Sequence, residues 1–591
     1  MTPRPTPSRA ALAAMRLTAL ASLGGSAVVM AGSVANPFFF DEPGLLVVAT
    51  VVVLVAAADR VARVLALVSC ALLVAALARV PRGPASTQTF VYGVDGATFE
   101  VIDKHAELLP NWSKLRADGT RAVLHSRDPM FSPLLWTTIA SGRVPDEHGI
   151  HGFHVHSSDC KVARFWDIAE EKGYAVGLYK WLVDYPPRSF KTGGFWVPSW
   201  LAPDVQTWPE KLSVVKELEL SKRLRRKQVA AKDSAQSMAV QLVEVGVRLS
   251  TVTKAAEWSL EQRFGHPDAV RTNVAMQELR GWIDRDVFIA NVYATQPRIA
   301  SFTYYATDGL AHLYWDKYDK AEAVADGGGK LEVSPVLAAY EQSDAILGAI
   351  RGIMGPDARL IVVSDHGFKA MDGTGLAGQF APLTEALRAR VDKLVPSAAP
   401  VDVSKVGHKL TVGFSDPNQR DAVTAAIATL LDSKGEPFYR SEDIDGMGGA
   451  VGLTLADEQI TAERLKSDSV GGEPISQYVT LTDAYTGTHK WNGVFYAYGK
   501  DVAAGKELDE VPLLDAAPTI LAAAGLPAAN NMPGKAHIFA ELPRVDSWDA
   551  LVENLQWIDV GEGGEGVNTD ALKALGYVDD GKSPTRVPPA P

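Results

Sequence analysis

Leu360-Ile361-Val362-Val363-Ser364-Asp365-His366-Gly367 reads as a buried strand that breaks, at its carboxyl end, into two adjacent metal-ligating side chains. A continuous apolar run rich in β-branched residues fits a strand covered on both faces, as in a parallel sheet. Three other stretches share the design. Gly93-Val94-Asp95-Gly96 closes the run Phe90 to Val94, Asp308-x-x-x-His312 follows the run Ile299 to Tyr305, and Gly487-Thr488-His489 comes later in the chain. In open α/β sheets ligands gather outside the carboxyl ends of the strands, so residues far apart in sequence converge there. Asp308 and His312 are four apart and share one face of a helix, where they can grip one ion. Asp365 and His366, adjacent at a strand end, can serve two neighbouring metals. The glycines flanking Asp95 permit a tight turn and close approach. His489 reads as a loop histidine held between Gly487 and Gly493. Three Asp and three His together make two metal sites of hard-to-borderline character.

The chain has 591 residues, too many for one ordinary core, so it reads as one large α/β domain with insertions or as two to three domains. A net charge of −12 and a pI near 5.6 argue against a nucleic-acid scaffold, which carries a basic face. Cys70 and Cys160 are the only cysteines, which excludes a disulfide framework and thiolate zinc sites. Any metal is therefore held by oxygen and imidazole.

Residues 1–80 read as a membrane segment of about three transmembrane helices. The run Leu17 to Val34 is long enough to span, and Leu45 to Ala58 and Val64 to Ala78 span with their flanks. Arg4, Arg9, Arg16, Arg60 and Arg63 belong in the cytoplasm by the positive-inside rule, which leaves everything after Pro81 outside it. The expected localisation is the cell membrane with an extracytoplasmic catalytic domain. A signal peptide over residues 1–35 is the rival reading and also exports the large domain; a two-span count would keep it cytoplasmic. A linker (81–87) leads to a first stretch of catalytic core (88–204), a helical insertion or cap (205–290) and a second stretch of core (291–375). An α+β insertion (376–480), a third stretch of core (481–545) and a C-terminal tail (546–591) follow. The tail ends in a Pro-rich stretch, Gly581 to Pro591, expected to be disordered. The basic run Lys222, Arg223, Arg225, Arg226 and Lys227 reads first as a solvated helix face and second as a contact for anionic lipid or substrate.

Taken with Phe131-Ser-Pro-Leu-Leu-Trp-Thr-Thr-Ile-Ala-Ser-Gly-Arg-Val-Pro-Asp-Glu-His-Gly-Ile150, Thr307-Asp308-Gly-Leu-Ala-His312, Asp515-Ala-Ala-Pro-Thr519 and Met532-Pro-Gly-Lys535, these motifs resemble the alkaline phosphatase superfamily. The resemblance is closest to its type I phosphodiesterase/nucleotide pyrophosphatase branch. It covers residues 88 to about 200, 295–375 and 485–540. It implies an α/β sandwich with a central, mostly parallel sheet flanked by helices. It also implies two zinc ions, with manganese or iron as alternative occupants. Asp308, His312 and His489 would hold one; Asp95, Asp365, His366 and the nucleophile would hold the other. Counting back ten residues from Gly142, as the family's nucleophile is spaced, lands on Ser132, with Thr137 and Thr138 as alternatives that read as packing residues. No Cys-x-Pro-x-Arg is present, which argues against formylglycine sulfatase chemistry. Where nucleotide pyrophosphatases place a phosphate-binding Asn, this chain reads His151-Gly152-Phe153, so a nucleotide substrate does not follow. His151, His154, Lys180 and Trp181 are candidate pocket residues instead.

Three functions follow from the resemblance. The first is a membrane-anchored, metal-dependent phosphodiesterase or phosphatase with a phosphate-ester substrate, lipid- or glycan-linked in one version. The second is a phosphotransferase passing phosphoethanolamine or phosphoglycerol to a glycan or lipid. The third is a catalytically silent, metal-stabilised scaffold.

Overall fold

The computed structural model describes residues 83–559, except 154, 222–234, 372–378, 383, 397–400, 407–408, 415, 445–446, 456–466 and 483–485, together with 567–568. The membrane segment expected over 1–80, the basic run at 222–227, His154 and the Pro-rich end lie outside the described residues. Among the described residues no helix is long and apolar enough to cross a membrane.

The chain divides into two compact units. The larger is built on an eight-stranded sheet: β1 (Thr89–Val94), β2 (Thr120–His125), β3 (Val176–Tyr179), β4 (Gly194–Val197), β5 (Ile299–Tyr304), β6 (Arg359–Val363), then β9 (Asn492–Gly499) and β10 (Lys506–Pro512). A separate two-stranded ribbon pairs β7 (Gly367–Ala370) with β8 (Gly487–Lys490). The large sheet is ordered β10-β2-β9-β6-β1-β5-β3-β4. β9 alone is reversed, antiparallel to β2 and β6 on either side; every other pairing in this sheet is parallel. All six residues of β1 and of β5 are buried, as strands covered on both faces must be.

Register decides what comes next. β1 pairs Gly93 with Val363 of β6 and Val94 with Tyr304 of β5, so three central strands end at one level. The residues leaving those ends, Asp95, the helix α2 (Ala306–Asp326) and Asp365, therefore emerge side by side. Helix α1 (Ser132–Ser141) has all ten residues buried and stops at Gly142, whose φ of 67° suits a left-handed cap. Helix α3 (Pro335–Ile353) lies beside α2, its N-terminus capped by Ser334, which accepts the Leu337 N–H at 3.2 Å.

The segment expected as one helical insertion over 205–290 is divided. Residues 235–267 and 282–294 belong to the smaller unit, where buried Asp286 accepts the Thr251 hydroxyl (2.6 Å) and the Arg248 N–H (3.0 Å). Lys216 and Glu219 belong to the larger unit instead, buried in an ion pair of 2.9 Å, with Lys180 on Glu219 at 3.0 Å. Within 376–480 lies a four-stranded antiparallel sheet, with strands Tyr439–Glu442, Ala450–Leu455, Lys409–Phe414 and Val401–Val406 in that order. Helices Thr384–Leu394 and Arg420–Ala428 help enclose a core that includes Leu387, Val412, Ile427 and Leu453. Of the expected tail, residues 546–559 pack against the larger unit: Asp549 pairs with Arg143 (3.0 Å) and Trp557 meets Trp196 edge-on.

Gly487 lets β8 lie against α2. A Cβ there would fall 2.5 Å from the Ala311 carbonyl oxygen and 2.5 Å from the Phe368 ring. Gly487→Ala is expected to cost about 1–3 kcal/mol, as overpacking does in a close-packed interior. A thermal melt matching the parent would contradict this.

Candidate metal centre

The first donor set gathers on α2. Asp308 lies in its first turn and His312 one turn on, with the His312 Nε2 3.3 Å from Asp308 Oδ1. The strand β8 brings His489, whose Nε2 lies 3.2 Å from the same oxygen and 2.9 Å from His312 Nε2. The expected loop histidine is thus on a strand, paired opposite Phe368.

The hydrogen bonds at the far side of these rings decide their tautomers. His312 Nδ1 lies 3.2 Å from the Gly487 carbonyl, His489 Nδ1 2.8 Å from that of Met130, and His366 Nδ1 3.1 Å from that of Gly367. A carbonyl can only accept, so each Nδ1 carries a proton, and in the neutral ring each Nε2 presents a lone pair inward. His312 and His489 thus aim their Nε2 atoms at each other beside a carboxylate oxygen. A metal ion or a proton must stand between them.

The second set forms around His366 Nε2. Asp95 Oδ1 and Asp365 Oδ2 each lie 3.4 Å from it, and Ser132 Oγ lies 3.5 Å away. The edge of a tetrahedron with metal bonds of about 2.0–2.1 Å is about 3.3–3.4 Å, so both sets have the spacing of ligands around one small ion. Asp95 Oδ1 and both oxygens of Asp365 are buried without a hydrogen bond of ordinary geometry, which is costly unless an ion or a proton takes that place. The other oxygen of Asp95 accepts Trp136 Nε1–H at 3.0 Å. The sets are contiguous: His366 Nε2 is 4.0 Å from Asp308 Oδ1, and the His366 and His489 rings stack with centroids 3.5 Å apart. Two ions in such a pair sit about 3.5–4 Å apart in known two-metal sites.

Local bonds hold the pieces. Ser364 Oγ donates to the His366 carbonyl (2.5 Å) and accepts the Ala97 N–H (2.9 Å), so the segments after β6 and β1 are tied together. Thr307 Oγ1 donates to the Asp95 carbonyl at 2.6 Å, tying α2 to the same turn. Phe368 packs edge-on to His312 and His489.

The electrostatics match a cluster built of acceptors. Burial, then the charges of Asp365 and Asp308, push Asp95 well above the usual carboxylate range. Burial and the Asp308 charge do the same to Asp365. Burial also opposes ionisation of Asp308, but His312 and His489 outweigh it and hold Asp308 well below that range. Burial, then the neighbouring His489, lowers His366 well below an ordinary imidazole; burial lowers His489.

The structure therefore brings together all seven residues singled out in the sequence: Asp95, Ser132, Asp308, His312, Asp365, His366 and His489. The other candidates are elsewhere engaged. Thr137 Oγ1 donates to the Pro133 carbonyl of its own helix, and Thr138 contacts His148. Trp181 is buried with its N–H on the Trp136 carbonyl, Lys180 pairs with Glu219, and His151 lies 3.5 Å from Asp146. Trp136 escaped notice in the sequence, although it touches a ligand. The one signal was its place a helical turn after Ser132. Tyr305, whose hydroxyl donates to the Lys180 carbonyl at 2.7 Å, escaped as well.

Residues 89–446, more than half of the chain, match the family described as type I phosphodiesterase / nucleotide pyrophosphatase. The protein belongs to that family, and through it to the alkaline phosphatase superfamily. It is accordingly a phosphoric ester hydrolase that acts on phosphate esters, from a metal-dependent family whose ligand groups it carries.

Metal uptake requires ionised carboxylates and neutral imidazoles. With Asp95 and Asp365 raised, a proton must leave as the ion enters, whereas Asp308 is already ionised. Apparent affinity is expected to rise with pH until those carboxylates are ionised, with protons released to the buffer. Calorimetric titration of zinc in buffers of different ionisation enthalpy measures the release; affinity independent of pH from about 5 to about 8 would contradict it. Trp136→Phe keeps the ring and deletes the N–H on Asp95. Metal affinity in competition with a chelator is expected to fall about 10- to 100-fold with the fold retained, the usual cost of losing an outer-shell partner.

Proposed function

We propose that the protein is a two-zinc phosphodiesterase or phosphatase in which Ser132 is the nucleophile. The observation that supports this most directly is the position of Ser132 Oγ, 3.5 Å from His366 Nε2 at the first turn of a buried helix. Asp95, Asp365 and His366 would hold one ion beside Ser132, and Asp308, His312 and His489 the other. An oxygen-and-imidazole donor set suits zinc, with manganese or iron as alternatives. When bound, the ions supply Lewis acidity and charge neutralisation at the phosphoryl group.

The residues do the rest. Ser132 sits where the positive end of the α1 dipole favours its ionised form. Its oxygen bonds to phosphorus as the ester oxygen opposite leaves. Water then cleaves the phosphoseryl bond and restores the hydroxyl. Trp136 holds the Asp95 carboxylate in one orientation throughout.

Anchoring is a component of the same reading. The apolar runs Leu17 to Val34, Leu45 to Ala58 and Val64 to Ala78 would enter the cell membrane and leave the catalytic domain outside the cytoplasm. A lipid- or glycan-linked phosphate ester is the substrate class that such a placement favours.

The test uses the full chain with bis-p-nitrophenyl phosphate and p-nitrophenyl phosphate, alone and with a competing alcohol. Ser132→Ala is expected to abolish turnover while two ions remain bound. Persisting turnover would refute Ser132 as nucleophile. Phosphoryl transfer to the alcohol in preference to water would replace hydrolase with transferase, and metal binding without turnover would favour the scaffold.

A further inference from the structure

We propose that the outward face of the helix Leu249–Leu260, with its continuation Glu261–Gly265, docks into the interfacial layer of a phospholipid bilayer. This rests on the membrane anchoring proposed above and adds a second, independent point of contact.

The inner face of this helix carries Thr251, buried with its hydroxyl on Asp286 Oδ2, and half-buried Ala255 and Trp258, while exposed Lys254 brings its Nζ to 5.6 Å from the centre of the Trp282 ring. Its outer face carries Val252, Ala256, Leu260 and Phe264, four apart and therefore in one stripe. Val252 is 38% exposed, Leu260 57% and Phe264 71%. On the preceding helix, Ala235–Glu244, Val240 is 56% exposed. A water-facing helix puts its apolar residues inward; here a second apolar stripe faces outward as well. Ten large apolar side chains stand exposed among the described residues, and four of them fall between 240 and 264. Such a concentration marks an interaction surface.

A bilayer fits it better than a folded partner. The stripe is one helix wide and bordered by Thr253, Glu257, Ser259 and Arg263, the layout of a helix lying in a membrane interface. The Arg263 guanidinium lies 5.6 Å from the Phe264 ring centre, so its stem follows the apolar face while its head reaches for water or phosphate. Position argues the same way. Gly83 belongs to this unit, and its carbonyl accepts the Tyr293 hydroxyl at 2.8 Å. The last apolar run before it ends at Ala78. Five residues reach at most about 17 Å, so a bilayer holding that run begins close to this unit.

The test incorporates the photo-crosslinker p-benzoylphenylalanine into the full chain in place of Leu260 or Phe264, with Gln262 as the control position. Each variant is mixed with vesicles of phosphatidylcholine and phosphatidylglycerol, floated and irradiated. Flotation with lipid adducts at 260 and 264, but none at 262, is the expected result. Flotation without adducts at 260 and 264 would overturn the docking face while leaving the anchor intact. Adducts to a second polypeptide at 264 would overturn it in favour of a protein partner. Absence of flotation would overturn both the anchor and the docking face.

Discussion

Six buried side chains at the end of the central sheet turn only acceptors toward one another, and the rest of the catalytic unit is arranged around that. His312 and His489 bring their Nε2 atoms to 2.9 Å, and Asp308 stands 3.2–3.3 Å from both. The Nδ1–H of each ring is committed to a backbone carbonyl behind it, which leaves each Nε2 facing the cluster. A buried carboxylate without a partner costs several kcal/mol. Three carboxylates and three imidazoles in one place are therefore a demand for positive charge, met by protons on Asp95 and Asp365 until a metal ion displaces them. Metal binding at such a site contributes to folding as well as to chemistry.

The sheet makes the convergence possible. β1, β5 and β6 end at one level, so Asp95, α2 and Asp365 leave together although their positions span 95 to 365. The ribbon of β7 and β8 then closes the cluster from outside the sheet, carrying His489 over α2. Its approach depends on Gly487 twice. The missing side chain admits the Ala311 carbonyl, and the Gly487 carbonyl itself orients His312.

Most of this site was legible before the structure because strand ends leave a sequence signature. Apolar runs such as Leu360 to Val363 identify strands, and a ligating residue immediately after one has few other reasons to be there. The supporting bonds were not legible. A backbone carbonyl such as that of Met130 has no residue-type signature, so the orienter of His489 could not be read. The short ribbon was missed because Gly487-Thr488-His489 is too brief for a strand pattern, and its partner lies more than a hundred positions earlier. Buried charge was not legible either. Nothing in the sequence marks Lys216 and Glu219 as buried, yet Glu219 pairs with both Lys216 and Lys180 inside the larger unit. Buried Trp548 and half-buried Trp557 draw residues 546–559 onto the core, as large apolar rings do.

Helix α1 links the chemistry to the scaffold more tightly than the ligand set alone suggests. Ser132 and Trp136 are one turn apart on the same face. The first reaches His366 and the second Asp95, both members of one donor set. Trp136 also fills the space left by Gly93, where a Cβ would lie 2.6 Å from its ring, and packs edge-on against Trp181. The serine and the group that orients an adjacent ligand are thus one rigid element, wedged between a strand and an aromatic cluster. A shift of that helix would move the serine and the Trp136 N–H together, which preserves their relation. Placing both on one buried helix makes the geometry around Asp95 a property of core packing and not of a loop.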